Sequence, residues 1–124
     1  MSNKIGVMIC GHGSRDIAAV EQFNQLAVEF KTRLPDVDVE SGFLEIATPV
    51  IRTGLDALKD RGAKKIVCLP GMLFAAGHVK NDLPSDVNNY AAENPELEPI
   101  YAADLGIDAR MLQAAQARVE EAIV

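Results

Sequence analysis

The stretch KIGVMICGHGSRD, residues 4–16, decides how the rest of the chain reads. Residues 4–10 form a compact apolar run, as a strand buried on both faces of a parallel sheet requires, and Gly11 stops it. From Asp16 the period changes. Ile17, Val20, Phe23, Leu26, Ala27, Phe30 and Leu34 recur at steps of three and four, the spacing of one buried helix face, until Pro35 ends it.

The order of strand, loop and helix then recurs. Residues 37–45 (VDVESGFLE) alternate like a second strand, and Thr48 followed by Pro49 predicts a helix N-cap with proline in the first turn. That helix runs to about Arg61, with Gly62 as its C-cap, and KKIVCLP at 64–70 is a third buried strand. Asp82 and Pro84 announce a helix to about Asn94, residues 97–102 make a short fourth strand, and Asp108 caps a last helix ending near Ile123. Strict alternation of four strands and four helices implies a parallel sheet with helices on both faces and right-handed crossovers. The expected architecture is a flavodoxin-like three-layer sandwich of strand order 2-1-3-4, with residues 1–124 as one domain.

Composition is consistent with this. A chain of 124 residues, 48% hydrophobic and 24% charged, can bury roughly 70% of its unfolded surface without metal or disulfide staples. A net charge of −6 with no lysine or arginine cluster argues against nucleic acid as a partner. Cys10 and Cys68 lie far apart in apolar runs, which suits buried thiols better than a redox pair or a zinc site. The apolar run at the amino terminus is too short for a signal peptide or a membrane span, so the expected location is the cytoplasm, with no membrane partner.

Ligands of open parallel sheets bind beyond the carboxyl ends of the strands, where successive connections leave to opposite faces. Here that point lies between the first and third strands. The loop after the first carries His12 and the loop after the third carries His78, the only two histidines of the chain. Glu45, at the end of the second strand, reaches the same edge, either as a solvated carboxylate or as part of the site. Two imidazoles and a carboxylate suit a first-row divalent metal and leave positions open on it, as a site that passes its metal on requires. Met72, Leu73, Phe74, Ala75 and Ala76 would wall the ligands with apolar surface for a flat conjugated molecule, or else pack on the core or a subunit contact. Arg15 and Lys80 could pair with carboxylates on such a ligand.

GHGSRD after the first strand, FLEIATPVI across the second unit and LPGMLFAAGHVKNDLP in the third resemble the short, class II CbiX-type sirohydrochlorin chelatases, in order and spacing along the whole chain. The resemblance implies a lyase of tetrapyrrole biosynthesis, for cobalamin or siroheme. Its metal is a substrate, cobalt first and nickel or iron otherwise, inserted into the acidic tetrapyrrole sirohydrochlorin without an organic cofactor. It assigns the metal to His12 and His78, with Glu45 assisting catalysis. It also implies pairing as a homodimer, because larger chelatases place two such domains across a cleft. The histidine-rich insertion of some short relatives is absent. Histidine can ligate a metal and, with a solution pKa of about 6.5, take up a proton near neutrality. Two other readings stand beside this one: a phosphohistidine carrier like the mannose-type phosphotransferase IIA domains, which also place His-Gly after a first strand, and a noncatalytic metal or tetrapyrrole carrier.

Overall fold

The computed structural model describes residues 4–73 and 79–123. Its elements follow one another as β1 (Ile5–Gly11), α1 (Ile17–Thr32), β2 (Asp38–Phe43), α2 (Ile51–Asp60), β3 (Lys65–Pro70), α3 (Val79–Glu93), β4 (Glu98–Tyr101) and α4 (Ala109–Ile123). The strands form one parallel sheet of order β2-β1-β3-β4, the flavodoxin-like arrangement that the alternation predicts. Among the described residues no helix is long and apolar enough to cross a membrane.

β1 is apolar throughout because both its faces are covered. Val7 and Ile9 join Ala27 and Val39 on the α1 side, with Phe23, Phe30, Val67 and Leu69 packed against them. Met8 and Cys10 point the other way, into a larger cluster with Leu55 and Leu58 of α2 and Leu83, Val87 and Tyr90 of α3. Polar ties hold α2 to α3 at the rim of this cluster. Arg52 donates to both carboxylate oxygens of Glu93, and the Tyr90 hydroxyl donates to Asp56 at 2.5 Å. The cysteines are free and buried. Burial, with Cys68 nearby, drives the Cys10 thiol far above its ordinary range, and burial pushes Cys68 up to about 12. Since the thiolate is the reactive form, neither should react with a thiol reagent at neutral pH until urea unfolds the chain, as a colorimetric thiol titration would show.

Asp16 caps α1, accepting from the Ala18 amide at 3.0 Å. Gly62 follows α2 at φ +94°, donating its amide to Lys59 O. Two expected helix starts are wrong. The Thr48–Pro49 peptide is cis, and α2 begins only at Ile51 behind Val50, which gives no side-chain cap. Pro49 O accepts from the Phe43 amide and Val50 bridges Phe43, so this segment runs alongside the end of β2 before the helix starts. α3 begins at Val79, not near Asp82, so Pro84 lies inside it and withholds one backbone donor.

Candidate functional site

The parallel ladder between β1 and β2 does not stop at the strand ends. Leu44 donates its amide to Gly11 O at 2.8 Å, and Glu45 donates to His12 O at 3.2 Å. This zips the two departing loops together and sets the His12 and Glu45 side chains side by side, with His12 Nε2 3.2 Å from Glu45 Oε1. Both side chains are nearly half exposed, so the pair is open to a ligand.

Glu45 is followed by a tight turn. Ile46 has φ 74°, rare for a β-branched residue, while Ala47 donates its amide back to Glu45 O at 2.8 Å. On the other side of the ladder Gly13 sits at φ +105° directly beneath the same carbonyl: a Cβ there would fall 1.7 Å from Glu45 O. The backbone thus holds the carboxylate against the imidazole from both directions.

The neighbouring connection supplies the other wall. Gly71 donates its amide to Cys10 O at 2.7 Å, drawing the start of the loop after β3 against β1. A cleft of about 200 Å³ results, where His12 faces Met72 over an apolar floor that includes Phe23 and Phe43. This is the switch-point crevice between the first and third strands. Leu73 is exposed beside it. Arg15 and Lys80 are exposed. His78 and Phe74 lie outside the described residues, as do Ala75, Ala76 and Gly77. Among the described residues no group of three donors able to hold a metal occurs.

Two features were missed in reading the sequence. Gly13 was not singled out, although its φ of +105° sets it directly against Glu45 O. Asp82 served only as a helix signal, yet with Asp86 it lines a second cleft of about 160 Å³ against Glu45. Their spacing of four residues, one face of a helix, is the signal that could have found them.

His12 and Glu45 are separated as two ligands of one ion would be, since neighbouring donors with bonds of about 2.1 Å stand roughly 3.0–3.5 Å apart. The fold and this pair define a class: an open parallel α/β protein with an exposed imidazole–carboxylate pair at its switch point. The CbiX family model matches residues 6–122, and the chain belongs to that family. It is 30% identical to the sirohydrochlorin ferrochelatase of Priestia megaterium over 93% of its own length and 43% of that protein's, so it spans less than half of that relative. It is 35% identical to the sirohydrochlorin cobaltochelatase of Sulfolobus acidocaldarius over 96% of its own length and 93% of that relative's. The sirohydrochlorin chelatase SirB of Bacillus subtilis subspecies spizizenii, solved in complex with cobalt, superposes with a TM-score of 0.89 at 30% identity, over 95% of this chain and 50% of SirB.

Proposed function

We propose that this chain is a sirohydrochlorin chelatase that inserts a divalent metal into the macrocycle, cobalt first, in a cytoplasmic branch of tetrapyrrole synthesis. The observation that carries the reading is the 3.2 Å approach of His12 to Glu45 at the mouth of an apolar cleft, in a chain of the CbiX family. Residues 1–124 work as one chelatase-like domain, and two copies pair to supply the two halves that longer relatives carry in one chain. That cobalt and iron both appear among the relatives' activities leaves the metal to be chosen by coordination chemistry and supply rather than by fold.

Metal insertion requires a partly dehydrated ion presented to one face of the macrocycle while two inner nitrogens lose protons. His12 and His78 hold the ion through neutral imidazole nitrogens, with Glu45 beside His12 assisting. As the ion passes to the macrocycle, the freed His12 and His78 imidazoles take up the two ring protons, with Glu45 assisting. Met72, Leu73 and Phe74 form the apolar bed on which the ring lies, and Arg15 and Lys80 meet its carboxylates. Open coordination positions let the metal leave for the macrocycle. A phosphohistidine carrier needs hydrogen-bond donors around its imidazole for phosphate; an adjacent carboxylate repels it, which disfavours that reading.

The test is absorption spectroscopy of sirohydrochlorin mixed with cobalt, nickel or ferrous iron, with and without protein. Insertion faster than the protein-free blank is expected, with cobalt fastest. A rate equal to the blank for all three metals, with the ring merely bound, makes the chain a carrier instead.

A further inference from the structure

Ile46 stands in a backbone conformation that its own side chain resists. Its φ is 74°, and the Ala47 amide returns to Glu45 O at 2.8 Å, which closes a three-residue turn with the isoleucine at its centre. This form of the turn is rare and strained, and a β-branched residue at positive φ is an outlier. Among the described residues every other positive φ belongs to a glycine, at positions 13, 62 and 106.

The turn itself is needed, because it sets Glu45 O against Gly13 and holds the carboxylate beside His12. The isoleucine is not. Glycine or asparagine takes a positive φ at less cost, so the backbone gives no reason for a branched side chain here. Packing does not offset the strain either, since Ile46 is 57% exposed and belongs to neither core cluster. A strained residue whose side chain the fold does not use points to a use outside the fold.

The sheet order narrows that use. β2 and β3 flank β1, so the loops that follow them stand on opposite sides of His12. One presents Ile46 directly after Glu45; the other presents Leu73, 48% exposed, directly after Met72 of the cleft wall. Strands two places apart in a sheet are separated by about 10 Å, a width that a four-pyrrole ring spans. His12 thus lies between two exposed aliphatic residues, which suits a flat ligand with an apolar face and a polar centre. Ile46 is also stiff. Its branched side chain has little rotamer freedom and its backbone is pinned by the turn, so little order has to be gained when a ring settles on it.

We infer that Ile46 seats the macrocycle: its side chain packs on the ring from the β2 side, opposite Leu73, and so centres the ring nitrogens over a metal held at His12. This deepens the chelatase reading above and rests on it.

The test uses three full-length variants. Ile46→Asn and Ile46→Gly keep residues suited to the turn and remove the aliphatic group, whereas Ile46→Val retains most of it. Titration with metal-free sirohydrochlorin, followed by absorption, should show the Kd raised about tenfold or more in the first two and about fourfold at most in Ile46→Val. In insertion assays the loss should fall on KM rather than kcat. Cobalt affinity by calorimetry, the urea midpoint and the mass by light scattering should match the wild type. Wild-type ring binding by Ile46→Asn and Ile46→Gly overturns the proposal and leaves the chelatase reading standing. A weaker Kd accompanied by a lower urea midpoint, weaker cobalt binding or a changed mass also overturns it, because the side chain is then a packing or subunit contact. A wild-type chain that binds the ring without inserting metal overturns the chelatase reading alone, and the ring titration then decides the role of Ile46. One that neither binds the ring nor exceeds the protein-free rate overturns both.

Discussion

Alanine at position 12 is expected to lower the rate of metal insertion into sirohydrochlorin by about hundredfold or more while leaving the protein folded. The loss has two sources. On the proposed reading His12→Ala removes a metal ligand from the crevice, and it removes the imidazole that stands 3.2 Å from Glu45. Positioned proton transfer alone contributes roughly 10²–10⁴-fold in rate. The fold should not suffer, because the imidazole is nearly half exposed and replacements at such positions usually stay within about 0.5 kcal/mol. Glu45→Gln is the graded companion. It preserves size and a hydrogen-bonding oxygen but removes the charge, so metal affinity should fall about 10- to 100-fold, as for the groups that support a metal ligand. Rates against a protein-free blank, metal titration by calorimetry and thermal melting separate the cases. A His12→Ala protein with wild-type turnover removes the imidazole from the mechanism. One with a collapsed melting temperature makes it a structural residue.

The strands and most of the helices could be read from the chain because each is written in a single period. β1 is apolar at every position because Val7 and Ile9 face α1 while Met8 and Cys10 face α2 and α3, so a two-sided burial signal appears directly in composition. Strand order followed from alternation and handedness, and with it the approach of His12 to the loop that begins at Gly71. What misled were residues with two meanings. Pro49 reads as a first-turn proline, but it stands in a cis bond whose carbonyl pairs with Phe43; Pro84 reads as a helix start, but the preceding turn is already helical. The direct pairing of His12 with Glu45 was only half visible. Sequence brings the two loops to one edge, whereas the backbone bonds from Leu44 and Glu45 to Gly11 and His12 set the register beyond the strands. α4 was read as a last helix capped by Asp108 and ending near Ile123, and it forms there, although periodicity does not tell that residues 112–123 are all exposed.

Gly13→Ala should be the most disruptive glycine-to-alanine change among the described residues, and Gly62→Ala is its internal control. Both glycines hold positive φ, +105° and +94°, which an alanine adopts at a cost of about 1–2 kcal/mol. They differ in what surrounds the added carbon. At Gly62 the nearest atom is the flexible end of Lys4, 3.9 Å away, so the backbone penalty is the whole effect. At Gly13 the methyl falls 1.7 Å from Glu45 O and 2.9 Å from the carbon that bears it, both backbone atoms fixed by the turn at Ile46. Neither can yield without opening the bonds that join the loops after β1 and β2. The expected loss is therefore about 3 kcal/mol or more, near a 10 °C fall in Tm for a domain of this size. Urea unfolding of the two variants measures the difference. Because relief of the clash must separate Glu45 from His12, insertion activity should fall in Gly13→Ala even where the protein is fully folded, and stay near wild type in Gly62→Ala. Equal destabilisation of the two variants with full activity in both would mean that the loops are not clamped as the hydrogen bonds at Leu44 and Glu45 require, and that the spacing of the imidazole and carboxylate is set by something other than this glycine.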